Sequence, residues 1–376
     1  MDSTRMADSL ERFSEETGSP RPIRGNQVRL LDDAGRFYDA MVRDIRTAEH
    51  HIFLEYFILR EDKVSTAIMD ALAERAHAGV RVCVLLDSFG CRQHFEERKG
   101  WRPMRPAFLR KYRGLGVEIR FYHSLLPLPR NHRKLTLIDG RIAYTGGMNI
   151  SEYYQKGYPG VGKVWDLQVR IEGPAAQGFL AGFARMWGAV GGRPLDVSVP
   201  PAPAPCGDTP LIILESPLPR RQRSLGFARD NKSRNGAETV FCQLLETARE
   251  SIRLTTPYFW PPKRLLKSIR SATRRGVRVE LMMGSESDLR PSLLTLFLLR
   301  TSRRLAKKGC FKLNIHSGFH HEKVVSVDGR LLMVSSYNLD FLSIKVNHEL
   351  GVLIDDPAIV REFDRHYDEQ AQPRNR

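Results

Sequence analysis

The chain has 376 residues, 59 Lys and Arg against 43 Asp and Glu, and a formal net charge of +16. With 41% hydrophobic and 27% charged residues, it has the balance of a soluble globular enzyme, which excludes wholesale disorder, collagen and a multi-span membrane protein. Its length fits two domains or one domain written twice, and a surface this basic favours polyanions: nucleic acid, anionic lipid headgroups or phosphorylated small molecules.

Residues 1–24 are polar and acidic at their start, without an apolar core segment. They read as a disordered tail rather than a secretory signal. No stretch of 18 apolar residues occurs, so no spanning helix is expected. The first half, 25–190, then opens an alternating pattern. HIFLEYFI (51–58) reads as a strand, TAIMDALAERAHAG (66–79) as a helix and VRVCVLLD (80–87) as a buried strand, together a βαβ unit. Residues 98–113 hold seven Lys and Arg and no acid, interleaved with Trp101, Phe108 and Tyr112. Such a mixture suits an anionic membrane interface, with the rings at headgroup depth, and also single-stranded nucleic acid.

A Pro- and Gly-rich stretch, 191–210, cannot sustain a helix or a central strand and reads as a linker. The second half, 211–376, repeats the first. SIRLTTPYF (251–259), KRLLKSIRSATRRG (263–276) and VRVELMMG (277–284) again read strand, helix, strand, and Gly79–Val82 recurs as Gly276–Val279. Residues 263–278 are as basic as 98–113, but Leu265, Leu266, Ile269 and Ala272 give them the core stripe of a helix whose charges face solvent. The run from Leu293 to Leu299 reads as half core. The five cysteines, Cys83, Cys91, Cys206, Cys242 and Cys310, are odd in number and form no C-x-x-C. A disulfide framework and a zinc site are not expected, and the usage fits a reducing compartment.

Each half ends its pattern on one shared motif. HRKLTLIDGRIAYTGGMN supplies His132, Lys134, Asp139, Gly147 and Asn149; HEKVVSVDGRLLMVSSYN supplies His321, Lys323, Asp328, Ser336 and Asn338. Both read H-x-K-x4-D, then two small residues, one further residue and Asn. In an extended strand the His and Lys two positions apart share a face. Asp-Gly marks a turn into the next strand, the small pair lets backbone approach a ligand, and Asn can donate to an oxyanion. Two imidazoles and two ammoniums suit a phosphodiester. The lysines offset charge on the phosphoryl oxygens, one imidazole attacks phosphorus, and the other moves the proton of the leaving and incoming alcohols. No metal or other cofactor is required for this chemistry.

These paired motifs resemble the phospholipase D superfamily, and the resemblance extends from about Gly25 to about Tyr367. LEYFIL (54–59), LQVRIEGPAA (167–176), TTPYFWPP (255–262), SSYNLDFLS (335–343) and VNHELGVLI (346–354) are similar to bacterial cardiolipin synthases, in the short form without N-terminal transmembrane helices. The resemblance implies an α/β fold: a tandem duplication of two α/β/α sandwich halves with one active site at their interface. It implies a phosphohistidine on His132, with His321 as general acid and base, and it assigns Asp166 and Glu349 to orienting the histidines. It further implies phosphatidyl transfer from one phosphatidylglycerol to another, giving cardiolipin and glycerol, at the cytoplasmic face of a bacterial membrane. Anionic phospholipid is then the partner and nucleic acid is not. The rival reading from the same motifs is a phosphodiesterase or nuclease, which the charge would also suit.

Overall fold

The structure, a computed structural model, describes residues 3–92, 104–124, 128–157, 162–196, 203–216, 236–284, 293–316 and 318–371. The chain forms two compact units, one of Arg24–Thr209 and one joining Pro210–Arg376 to Met1–Ile23.

The strands of the first unit are β1 (Ile23–Leu31), β2 (His51–Tyr56), β3 (Arg81–Asp87), β4 (Glu118–Tyr122), β5 (Lys134–Ile138), β6 (Ile142–Gly146), the two-residue β7 (Val164–Trp165) and β8 (Gln168–Glu172). Seven of them form a mixed sheet in the order β1-β8-β6-β5-β2-β3-β4. β2, β3 and β4 run parallel, whereas β5 lies antiparallel to β2 and starts an antiparallel run through β6 and β8 to β1. The helix Lys63–His77 joins β2 to β3. Its capping box is complete: Asp62 accepts the Ser65 amide at 3.0 Å, and the Ser65 hydroxyl accepts the Asp62 amide at 3.0 Å, satisfying two donors that the first turn would otherwise leave open. Gly79 follows it with φ +89°, and Gly276 takes φ +87° at the matching place in the second unit. The repeated Gly-Val-Arg-Val thus has a backbone cause, since a side chain in this conformation would be strained.

Both faces of this sheet are covered. Residues of opposite parity on β2 point to opposite faces. Phe53 stacks on Phe183 of helix Leu180–Ala189 at 4.9 Å between centroids, while the Tyr56 hydroxyl reaches Met41 Sδ of helix Ala34–Arg46 at 3.8 Å. Burial on both sides accounts for the unbroken apolar runs of β2 and β3.

The second unit repeats the plan with β9 (Thr209–Glu215), β10 (Ser251–Thr255), β11 (Arg278–Gly284), β12 (Lys312–His316), the two-residue β13 (Phe319–His320), β14 (Val324–Val327), β15 (Leu331–Ser335) and β16 (Leu350–Asp355). Its order is β9-β16-β15-β14-β10-β11-β12, with the same alternation of parallel and antiparallel pairs. One face carries Ile252 and Leu254 into a core with Val240, Leu244, Leu265, Ile269 and Ala272. The other is covered by helix Pro357–Ala371, where Arg253 pairs with Asp364 at 3.0 Å and Asp368 at 2.8 Å, and Asn314 meets the Tyr367 hydroxyl at 3.1 Å.

Three expectations are corrected. The N-terminal segment is not wholly a disordered tail: Ser3–Thr17 is helical, and Leu10 and Phe13 are buried in the core of the second unit. The aromatic residues of the first basic segment do not face a membrane where they are described. Phe108 and Tyr112 lie in helix Pro106–Gly114 and pack inward, with the Tyr112 hydroxyl on Asp70 at 2.7 Å; Trp101 lies outside the described residues. The end of the expected linker is packed, the Cys206 amide donating to the Gly25 carbonyl at 3.0 Å, and Thr209 already begins β9. All five cysteines are free. Burial, with the Glu118 charge, pushes the Cys83 thiol up to about 12, so Cys83 is an unreactive core residue. Among the described residues no helix is long and apolar enough to cross a membrane.

Candidate active site

In the first unit β5 begins at Lys134, so His132 lies on the chain just ahead of the strand rather than within it. Lys134 is fully buried, and its Nζ bends back to donate to the His132 carbonyl at 2.6 Å. The Phe57 ring meets the His132 imidazole edge-on at 4.9 Å and lies 5.6 Å from Lys134 Nζ. One aromatic ring therefore borders both members of the pair.

The approach to His132 is fixed by a polar network that sequence reasoning missed. Asn131 donates from its side chain to Glu55 at 2.8 Å and from its amide to Asp87 at 2.9 Å. Asp87 also accepts the Phe89 and Gly90 amides, each at 2.9 Å, and Arg130 stands 3.6 Å away. Burial raises the Asp87 carboxyl above its usual range even against these donors. The string holding Glu55 carried a resemblance signal, but periodicity places Glu55 and Asp87 simply inside buried strands.

Asp166 falls in the break between β7 and β8, fully buried. A Cβ built on Gly147 would stand 2.0 Å from Asp166 Oδ1, so the carboxylate occupies the space that glycine leaves free. The second unit solves the same position differently. The Ser336 hydroxyl donates to the Glu349 carboxylate and accepts the Leu350 amide at 3.0 Å. The backbone is alike in both: Gly147 donates to Leu167 at 3.0 Å and Ser336 to Leu350 at 2.8 Å. Glu349 is further held by its amide on the Ser216 hydroxyl at 2.6 Å.

His321 and Lys323 likewise precede their strand, β14. Lys323 Nζ donates to the His321 carbonyl and to His321 Nδ1, the latter at 2.8 Å. A neutral imidazole that accepts at Nδ1 carries its proton on Nε2. On the opposite side of this segment, His320 Nε2 meets Gln370 at 2.5 Å and Glu322 accepts from His366 at 2.7 Å. Burial works to raise the Glu322 carboxyl, but the charges of His366 and His320 outweigh it and hold it at about 2.

Not every motif residue joins these groups. Asp139 lies at the far end of β5, where its carboxylate accepts the amides of Glu49, His50 and His51 at 2.8, 2.9 and 2.8 Å. Asp328 accepts those of Arg249, Glu250 and Ser251, all at 2.8 Å. Both carry positive φ, 51° and 53°. These aspartates hold a turn and do not reach the imidazoles, which corrects their placement among the catalytic residues. Asn149 is committed to the fold as well: its Oδ1 accepts the Ile58 amide at 3.1 Å, and its Nδ2 donates to the Tyr154 hydroxyl at 2.9 Å. Asn338 differs, since its Oδ1 is buried with no hydrogen-bond partner among the described residues. Asp340, two residues on, caps helix Phe341–Lys345 by accepting the Ser343 amide at 2.8 Å. Burial, reinforced by the Glu349 charge and opposed by Ser343 and Lys323, raises its carboxyl to about 6. No group of His, Cys, Asp and Glu among the described residues is arranged to hold a metal ion.

The family model described as "Cardiolipin synthase, PLD-like domain" matches residues 41–187 and 241–370. The chain belongs to this family. Its relatives include Cardiolipin synthase A of Klebsiella pneumoniae and of Salmonella enteritidis, each 32% identical over 94% of this chain and 71% of the relative. Among solved structures, a phosphatidylserine synthase of Haemophilus influenzae is similar with a TM-score of 0.70 at 16% identity, covering 96% of this chain and 90% of the other. A polyphosphate kinase of Porphyromonas gingivalis gives 0.57 at 14% identity, covering 99% of this chain and 54% of the other. At such identities the structural likeness speaks for the fold. The family places the matched segments one in each half of the chain, in keeping with the duplicated sheet.

Proposed function

We propose that this cardiolipin synthase-like phosphatidyltransferase uses both motifs in one reaction. His132 attacks the phosphorus of phosphatidylglycerol, the bond from phosphorus to the glycerol oxygen breaks, and His321 gives that oxygen its proton. A hydroxyl of a second phosphatidylglycerol then loses its proton to His321 and attacks the phosphohistidine, forming cardiolipin and freeing His132. One phosphodiester is exchanged for another, so no nucleotide enters. Lys134 and Lys323 are each held beside their own histidine segment, and their positive charge can offset charge on the phosphoryl oxygens.

The observation that carries this reading is the repeated His–Lys pair, held by the same lysine-to-carbonyl contact in both units, in a chain similar to cardiolipin synthases over nearly all of its length. His132 is proposed as the nucleophile, and His321 as the acid in its imidazolium form and the base once neutral. Asp166 and Glu349 are proposed to orient the histidines; Ser336 and Gly147 position them. Anionic phospholipid is the proposed partner, and the proposed location is the cytoplasmic face of a bacterial membrane, held peripherally. Incubation with phosphatidylglycerol vesicles should yield cardiolipin and glycerol in equal amounts. Phosphatidic acid alone would make the protein a hydrolase, and cleavage of DNA without lipid turnover would make it a nuclease.

A further inference from the structure

Large apolar side chains rarely gather in solvent without a partner. Of the seven that are exposed among the described residues, four belong to one neighbourhood of the second unit: Trp260 (53% exposed), Phe297 (50%), Phe341 (51%) and Leu342 (42%). The Trp260 and Phe297 rings meet edge-on at 6.0 Å. Trp260 is tied to the end of the second motif, its amide donating to the Leu339 carbonyl at 2.9 Å and its backbone bridging Asp340. Asp340 in turn caps the short helix whose first two residues are Phe341 and Leu342.

The duplication supplies a control. In the first unit a bridge one position earlier joins Leu59 to Ile150, and the amide that matches that of Trp260 belongs to Arg60, donating to the Ile150 carbonyl at 3.1 Å. Arg60 is buried, and the positions matching Phe341 and Leu342 are Glu152, paired with Lys156, and the buried Tyr153. The fold therefore builds this corner without exposed rings, and their presence in the second unit has a cause other than folding. Helix Leu293–Lys307 adds charge on the same side. At 100° per residue, Phe297, Arg300, Arg304, Lys307 and the following Lys308 share one stripe. The four basic residues are exposed, and none is paired with a carboxylate among the described residues.

We propose that Trp260, Phe297, Phe341 and Leu342 enter the interfacial layer of an anionic bilayer, with Arg300, Arg304, Lys307 and Lys308 on its phosphates. This rests on the phosphatidyltransferase reading, because it sets the second motif, Asn338 above all, beside the membrane that holds the substrate. Aromatic rings seat at headgroup depth, and basic residues near an anionic surface add attraction, so two weak anchors combine into stable but reversible attachment.

The test compares wild-type protein with the triple variant Trp260→Ser, Phe297→Ser, Phe341→Ser, by flotation with vesicles of phosphatidylglycerol and phosphatidylcholine. The substituted rings are exposed, so thermal unfolding should be unchanged. The variant should lose about tenfold or more in vesicle binding and in turnover of long-chain phosphatidylglycerol, yet keep turnover of monomeric dihexanoyl-phosphatidylglycerol. In wild type, brominated acyl chains should quench Trp fluorescence, and Trp260→Phe should remove most of that quenching. Unchanged vesicle binding would overturn the proposal, as would a variant that loses single-stranded DNA binding instead. A wild-type protein that binds vesicles through these rings but turns over neither lipid would keep the docking surface and remove the transferase reading.

Discussion

His51 and Asp139 are joined in both directions. The Asp139 amide donates to the His51 carbonyl at 3.0 Å, the Asp139 carboxylate accepts the His51 amide at 2.8 Å, and the same carboxylate gathers the two preceding amides. Ser251 and Asp328 repeat the arrangement. The invariant spacing from His to Asp within the two motifs is thus the length of one strand, with imidazole and lysine at one end and a turn lock at the other.

Replacement of Asp139 by Ala should act on stability and leave the chemistry alone. Three amides lose a charged acceptor, a loss of about 3 kcal/mol with partial compensation by water. Thermal unfolding should show a lower midpoint for Asp139→Ala, while turnover per folded molecule stays near wild type. A stable protein without turnover would return Asp139 to the reacting groups.

Gly147 and Ser336 occupy matching positions but should respond to different degrees. A methyl at 147 collides with Asp166, so Gly147→Ala must displace the carboxylate proposed to orient a histidine. Turnover should fall by about a hundredfold or more, the scale of one misplaced catalytic group. Ser336→Ala leaves space intact and removes one hydrogen bond to Glu349, and a loss of about tenfold is expected from a bond to a charged group. Equal losses in the two variants would mean that the carboxylates do not act as proposed.

Asp340 makes stability depend on pH. Its carboxyl is raised to about 6 in the folded protein, so between the unfolded value near 4 and about 6 the native state holds the extra proton, and stability falls as pH rises through that window. The cost is fully present above about pH 6 and amounts to roughly 2–3 kcal/mol. Asp340→Asn keeps a side chain able to cap the helix and should flatten denaturant midpoints across this range. A midpoint profile identical to wild type would place the Asp340 carboxyl at its ordinary value.

Much of this was legible in the chain. The βα alternation, the duplication and the paired His–Lys motifs follow from periodicity and spacing, because β2 and β3 are buried on both faces and the motif repeats at a fixed interval. The N-terminal helix was not legible, since among its described side chains the buried apolar ones are just Leu10 and Phe13, and their docking depends on a core far away in sequence. The roles of Asp139, Asp328 and Asn149 were misread for a related reason. Their partners are main-chain amides and a tyrosine hydroxyl, and no residue pattern announces those. The basic, aromatic segment around Tyr112 misled in the other direction: composition suggested a surface, but helical spacing turned Phe108 and Tyr112 inward.

The two histidines should separate kinetically. His321→Ala removes a proton donor and acceptor, a loss of about 10²–10⁴ in rate, but leaves His132 able to attack phosphorus when the leaving alcohol is a good one. A phosphatidyl donor with a nitrophenyl leaving group should therefore still label this variant, and His132→Ala should not be labelled. Labelling of His132→Ala with loss in His321→Ala would exchange the two roles.

The central claim is most directly tested by intact-mass analysis of protein quenched in acid-free denaturant during turnover of phosphatidylglycerol, together with product analysis of the same reaction. Wild type should carry one phosphatidyl group on His132 while cardiolipin and glycerol appear in equal amounts. Cardiolipin formed with no adduct on either histidine, or an adduct that yields only phosphatidic acid, would contradict it.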